Sequence, residues 1–391
     1  MELNNKHLHV VVFDIPYPAN YGGVIDIYYR LVALSEKGVK VHLHCYQYGR
    51  SESAMLKGLC HKIYYYKRKI FKNPIYNTKP YIVASRNSTE LIENLVKDNH
   101  PIMFEGLHCT FYLADERLKD RFKIVRTHNI EHLYYKHLER VESNLFKQYF
   151  FKIEANRLKR YEKVLKHANV IAAISPNDQF HFQKKYGNTI LLSPFHVNNK
   201  VSIRPGIGKF MLYHGNLSVG ENNEAATFLI NKVLKGTDYP LVIAGNDPTE
   251  ELKELVANSP NVTLKSKITS EEINNLISDA QINILHTNQD TGIKLKLINA
   301  LFMGRHCIAN IKMIKNTGME DLCIRADKPS QYKKAIEACW NVELSNEEIN
   351  KRIAVLNTSF NNAQNLEPLM HAVFNTKTKK VVQKQDAVKR S

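Results

Sequence analysis

The sequence predicts an α/β protein made of two parallel-sheet units. Short apolar runs alternate with amphipathic helical segments, and the alternation restarts after a polar linker. Several apolar runs also end directly in loops carrying glycine or histidine, the usual place for ligands in parallel sheets.

In chain order, the first strand is the apolar run His7–Phe13, followed by the loop Asp14-Ile15-Pro16-Tyr17-Pro18-Ala19-Asn20-Tyr21-Gly22-Gly23. An amphipathic helix from Val24 to Lys37, then Gly38, leads into a second strand over Val39–Cys45. Further short strands are expected at Lys62–Tyr66, Ile102–Glu105, Lys123–Thr127, Val170–Ile174 and Thr189–Leu192. Residues 197–208 have linker composition. After them come a strand at Phe210–His214, a loop at Gly215–Ser218 and a helix over Glu221–Leu234. Leu241–Gly245, Val262–Lys265, Ile282–Leu285 and Cys307–Asn310 read as the remaining strands, and residues 346–375 as two helices. The domain limits that follow are 1–200 and 207–354, with 376–391 a basic tail lacking apolar periodicity.

A chain of 391 residues can hold two such domains, each with its own core. With 43% hydrophobic and 24% charged residues it has the composition of a globular protein. Its longest apolar runs are far short of a membrane span, and no signal-peptide-like segment opens it, so a cytoplasmic location is expected. The six cysteines show no Cys-x-x-Cys pair, which points to free thiols rather than zinc or disulfides. The net charge of +17 is concentrated in residues 1–200, with 31 Lys+Arg against 18 Asp+Glu. An anionic partner follows: a phosphate-bearing substrate, phospholipid head groups or nucleic acid.

Residues 290–310 carry the strongest chemical signal. A polar loop with Thr291 and Gly292 enters a helix whose Ile293, Leu297, Ala300 and Leu301 share one face, and Gly304 is expected to close it as a left-handed cap. Lys294 and Lys296 lie in the first turn, where they oppose the helix dipole. Cations placed against the dipole suggest an anion bound there. Gly22-Gly23, before the first helix, let backbone approach a ligand, and Asp26 one turn later is a candidate polar contact. Glu105-Gly106-Leu107-His108 and Arg126-Thr127-His128-Asn129-Ile130-Glu131 each follow a strand, and two histidine loops at strand ends suggest one crevice. The loop after Tyr213 carries Gly215 and Asn216, yet residues 214–224 contain no Lys or Arg. The helix Asn144–His167 pairs a stripe of Leu145, Tyr149, Ile153, Leu158, Tyr161 and Leu165 with basic residues. It reads either as a helix packed on a sheet or as a membrane-surface helix. The loop with Arg68, Lys69, Lys72, Lys79 and Arg86 fits an anionic or lipid-linked acceptor.

These segments resemble glycosyltransferase family 4 of the GT-B glycosyltransferases, in points spread over nearly the whole chain. In the donor segment Gly292, Ala300, Gly304, Ile308 and Ala309 match. Thr291 and Asn299 replace the family's two glutamates, as in the variant Thr-Gly-Ile-Lys-x-Lys-x-x-Asn-Ala. The resemblance implies the GT-B fold: two facing Rossmann-like domains with parallel sheets and a C-terminal helix, 355–375, crossing back to the N-terminal acceptor domain. It implies a nucleotide-sugar donor bound by Gly22, Gly23, Gly215, Asn216, Thr291, Gly292, Ile293, Lys294, Lys296 and Asn299, the last beside the ribose. His128 and Glu105 take the catalytic positions, and neither cofactor nor metal is expected. The implied reaction moves a sugar, with retained configuration, to a glycan or lipid-linked acceptor in surface-polysaccharide assembly at the inner membrane leaflet.

The rival reading, favoured by loss of both glutamates, is a GT-B protein that binds glycan or nucleotide without transfer. A nucleic-acid binder is disfavoured because the basic residues form no reader motif, and a GT-B epimerase is a minor alternative. There is no Asp-x-Asp, no Gly-x-Gly-x-x-Gly after the first strand, no Gly-x-Ser-x-Gly and no zinc spacing.

Overall fold

The computed structural model describes residues 6–70, 78–142, 144–289 and 292–375. They divide into two compact units, one drawn from Met1–His132, Ile153–His196 and Asn362–Ser391, the other from Leu133–Lys152 and Val197–Asn361.

The first unit holds a seven-stranded parallel sheet of β1 (His7–Val12), β2 (Lys40–Gln47), β3 (Lys62–Lys67), β4 (Ile102–Glu105), β5 (Lys123–Thr127), β6 (Val170–Ala173) and β7 (Thr189–Leu191). Their spatial order is β3-β2-β1-β4-β5-β6-β7. The second unit repeats the plan with β8 (Met211–His214), β9 (Leu241–Ala244), β10 (Val262–Lys265), β11 (Ile282–Leu285), β12 (His306–Ala309) and β13 (Ile324–Arg325), in the order β10-β9-β8-β11-β12-β13. All paired strands are parallel. In each sheet the winding reverses beside the first strand, between β1 and β4 and between β8 and β11. Ligands enter such sheets there, outside the carboxyl ends of the strands.

The helices used below are α1 (Gly22–Glu36), α2 (Glu131–Val141), α3 (Leu145–Tyr161), α4 (Gly220–Phe228), α5 (Leu295–Met303) and α6 (Asn362–Met370). Both faces of the central strands are covered, so β1, β4, β5, β6, β8 and β11 are buried almost throughout. This makes them legible as short continuous apolar runs. In the second sheet Met211 and Tyr213 join one core while the intervening Leu212 joins the other, the period-two alternation of a strand. Leu366, Leu369, Met370 and Val373 complete the core around Val10, Val12, Leu31 and Met103. Lys37 Nζ also bonds Glu367 at 2.7 Å.

Some sequence expectations need correction. The chain rejoins the first unit at Asn362, not 355. Residues 133–152 group with the second unit although they fall inside the expected domain 1–200. The two-residue strand β13 is too short to show a pattern in sequence. Gly304 ends α5 in extended backbone (φ −87°, ψ 158°), so it is not a left-handed cap. A Cβ at Gly304 would stand 2.2 Å from Asn283 Nδ2 and 2.7 Å from the Ala300 carbonyl oxygen, so close packing demands the glycine. No helix among the described residues is long and apolar enough to cross a membrane.

Candidate functional site

In the first unit the loops leaving β1, β4 and β5 meet around a buried ion network. Asp26 and Arg30 lie one turn apart on α1, and Arg30 Nη1 donates to Asp26 Oδ2 at 2.9 Å. Arg126, at the end of β5, donates to the same carboxylate from Nε at 3.2 Å and Nη2 at 3.0 Å. Arg30 also bonds Glu105, the last residue of β4, and His128 Nε2 donates to Glu105 Oε2 at 3.0 Å. The Phe195 N–H adds 2.9 Å to Asp26 Oδ1. Burial alone would raise the Asp26 pKa, but Arg126 and Arg30 hold it well below the usual carboxylate range. Two guanidinium groups against two carboxylates bring the cluster to neutrality, which makes its burial tolerable.

Asp26, Glu105 and His128 place ligand atoms within 4.8 Å of one another. A divalent cation there would stand beside Arg30 and Arg126, which already neutralise both carboxylates. The donor set therefore fits an ion network better than a metal. Asp26 is not a loop contact for a ligand, because its side chain is spent inside this network. Glu105 is wholly buried and is bonded to Arg30 and His128, whereas His128 lies at the network's partly exposed edge. The second ring nitrogen of His128, Nδ1, lies 4.0 Å from Asp26 Oδ2, so both nitrogens turn to carboxylates.

Phe13 joins the two histidine loops, with ring centroids 5.2 Å from His108 and 5.6 Å from His128. It also explains Gly23, whose added Cβ would stand 2.8 Å from the Phe13 ring, while the space at Gly22 is open. Arg50 pins the loop before them through the carbonyls of Ile15 (2.5 Å) and Pro18 (2.6 Å). Glu131 closes the second of the histidine loops singled out in the sequence. It is buried at the head of α2, 4.0 Å from His108 Nδ1, and burial followed by the charge of Asp178 pushes its pKa up to about 8.

The second unit gathers a separate group at the carboxyl end of β8. Gly215 follows His214, and a Cβ there would lie 3.0 Å from both Asn222 and Lys296 Nζ. Lys296 Nζ donates to Asn222 Oδ1 at 2.8 Å and to Tyr213 Oη at 3.3 Å, and lies 4.8 Å over the Tyr213 ring. A lysine on α5 thus reaches the loop that has no cation of its own. Burial lowers its pKa to about 8, against the opposing pull of Glu221. His214, pushed down to about 3 by burial and then by Lys296, keeps a buried Nε2 with no hydrogen-bond partner among the described residues.

The helix α5 begins at Leu295, three residues later than Gly292, and Lys294 at its N-cap provides no side-chain cap. Lys294 Nζ instead donates to the Gln289 carbonyl at 2.8 Å. Gly292 adopts φ 68°, a left-handed conformation that suits glycine. Ile293 is a core residue, Thr291 lies outside the described residues, and Asn216 accepts from Ser218 N and Oγ to hold its own loop. Asn299 Oδ1 accepts from Asn198 Nδ2 at 2.8 Å. The sequence places Tyr213, Glu221 and Asn222 in and around this loop, but nothing local marks Tyr213 and Asn222 as the partners of Lys296.

Residues 208–341 match the family model described as Glycosyl transferases group 1. An uncharacterized 44.6 kDa protein in the cps region of Klebsiella pneumoniae is 27% identical over 315 residues, covering 75% of this chain and 79% of that protein. Among solved structures, a glycosyltransferase from Rickettsia africae superposes with a TM-score of 0.59 at 13% identity, over 95% of this chain and 100% of its own. TarM from S. aureus, solved with UDP and alpha-GlcNAc-glycerol, gives a TM-score of 0.65 at 12% identity, over 94% of this chain and 100% of its own. The two parallel sheets and these matches agree: the chain is a glycosyltransferase of GT-B fold whose residues 208–341 form a group 1 domain.

Proposed function

We propose that this enzyme moves a sugar from a nucleoside-diphosphate donor to a glycan or lipid-linked acceptor during surface-polysaccharide assembly, with retained configuration. The placement of Lys296 carries the reading. Its ammonium group stands at the glycine loop after β8, beside a helix terminus without a side-chain cap and an orphaned His214 nitrogen. Such a group neutralises a diphosphate, and the same charge stabilises it as it departs. The UDP bound by TarM and the cps location of the Klebsiella relative support donor class and process. By this reading Asn299 serves the ribose as a neutral amide, oriented by Asn198, and no cofactor is called for.

The test is turnover with a panel of UDP- and GDP-sugars against lipid-linked and free glycan acceptors, without added divalent cation. Release of nucleoside diphosphate that depends on acceptor, with NMR showing the donor's anomeric configuration in the product, supports the reading. Nucleotide binding without release from any donor would instead identify a binding protein that has lost transfer.

Within this reading His128 borders the transferred sugar, held by Glu105. His128→Ala is expected to lower kcat about 100-fold while donor KM changes less than about threefold. A loss confined to thermal stability, with kcat unchanged, would show a structural role only.

A membrane surface is the proposed place of work. At the start of α3, Leu145 is 76%, Phe146 90% and Tyr149 60% exposed, with Lys147 and Lys152 among them, whereas Leu158 and Leu165 are buried. The stripe therefore splits, its second half packing and its first half remaining open. Burying two large side chains in lipid is worth about 1.5–3 kcal/mol each. The double variant Leu145→Asp, Phe146→Asp should lose at least about tenfold in affinity for phosphatidylglycerol vesicles by sedimentation. Equal binding by variant and parent would count against this surface.

A further inference from the structure

The first sheet carries a second cluster, at its other end, that sugar transfer does not use. Strands β1 and β2 begin His7-Leu8-His9 and contain His42-Leu43-His44, so strand alternation puts four imidazoles on one face. His100, in the turn before β4, stacks on His7 with centroids 4.4 Å apart. His61, just before β3, lies 5.2 Å from His42 and 5.5 Å from His7, centroid to centroid.

The two histidine pairs differ in their surroundings. His9 donates from Nε2 to the Asp98 carboxylate at 3.0 Å, so its Nδ1 accepts from His44 Nε2 at 2.8 Å. His44 Nδ1 then accepts from the Tyr66 hydroxyl at 2.8 Å, which itself accepts from Asn94 at 3.0 Å. Every proton on this buried chain has a place, with both rings neutral. His7, His42 and His100 are arranged otherwise. Each brings one ring nitrogen to a point where all three lie within 4.8 Å of one another, and His7 Nδ1 to His42 Nε2 is 2.8 Å.

We propose that His7, His42 and His100 form a binding site for a divalent transition metal of the Zn2+ type, with His61 placed to supply a fourth nitrogen. Metal–nitrogen bonds of about 2.0–2.1 Å in a tetrahedron separate the nitrogens by about 3.3 Å, so the observed pair needs to open by only about half an ångström. An all-imidazole set selects Zn2+, Ni2+, Co2+ or Cu2+ and rejects Mg2+ and Ca2+, which prefer oxygen. A neutral imidazole offers one ring lone pair to a metal, so each of these rings can supply a ligand nitrogen. Asp98 supplies outer support, accepting the His100 backbone N–H at 3.0 Å as well as the His9 ring. His7 and His100 are half-buried, which leaves a path for entry.

The site's role is structural. It ties together the segments entering β1, β2, β3 and β4, about 20 Å along β1 from the loop that carries Phe13. The test uses the full chain without a histidine tag, stripped with EDTA and titrated with ZnCl2 by calorimetry in the absence of nucleotide. One equivalent is expected to bind with a Kd of about 1 µM or tighter and to raise the melting temperature, while MgCl2 does neither. The half-buried turn variant His100→Ala and the strand variant His7→Ala should each weaken Zn2+ at least about tenfold, with His371→Ala unchanged. Co2+ added to the stripped parent should show the intense visible absorption of a low-coordinate site. Binding that survives His100→Ala at parental affinity, or a stoichiometry below one half, overturns the proposal.

Discussion

Lys296→Met is expected to weaken nucleoside-diphosphate binding by about 30-fold, close to 2 kcal/mol for one buried charge-assisted contact. Lys294→Ala should cost far less, because its ammonium is directed to the Gln289 carbonyl. The pH dependence provides the sharper readout. In the free enzyme Lys296 carries a pKa of about 8, so it is charged at pH 7 and increasingly neutral above pH 8. A bound diphosphate favours the charged form and raises that pKa. Affinity should therefore be level below pH 7 and fall as pH rises past 8, with uptake of up to about one proton on binding at pH 8.5. His214 and Tyr213 do not blur this window, since burial keeps the first neutral down to about pH 3 and the second neutral well above 10. Calorimetry in buffers of different ionisation enthalpy measures the proton directly. A parental pH profile in Lys296→Met would refute the assignment.

The second large effect concerns the network under His128. Arg30→Met leaves Glu105 and half of Asp26 buried without their cation, and it should destabilise the fold by about 3–5 kcal/mol in urea unfolding. Adding Glu105→Leu removes the stranded charge and should recover at least about half of that loss. Purely additive losses would show that Arg30 stabilises by packing on the Phe195 ring, 5.8 Å away, and not by charge. Because Glu105 also holds His128, the double variant is expected to regain stability without regaining turnover.

These two groups show how far sequence reading carries. The strand bounds at Ile102–Glu105, Lys123–Thr127, Val262–Lys265 and Ile282–Leu285 were readable to the residue. Strands covered on both faces become unbroken apolar runs that stop where polar loops begin. The anomaly of two lysines at a helix start was equally visible, since dipole and charge are local properties. Their side-chain partners were not. Lys296 meets Tyr213 and Asn222 from 83 and 74 positions away, and Arg126 meets Asp26 across 100. Neither helix periodicity nor loop composition encodes such separations.

By itself, then, the sequence determined the alternation of strand and helix, the restart after the linker, the polar loops at the strand ends and the resemblance to family 4. The first three follow from periodicity or residue type within a short window, and the resemblance from the order of motifs along the chain. Tertiary structure alone decided that Lys296 rather than Lys294 serves the cation-poor loop, and that Asp26 is a buried counter-ion and not a ligand contact. It also decided that Gly304 makes room for Asn283. Those outcomes depend on which distant groups share one small, water-poor volume, where burial multiplies the cost of an unmatched charge and the space for a single methyl group settles the residue.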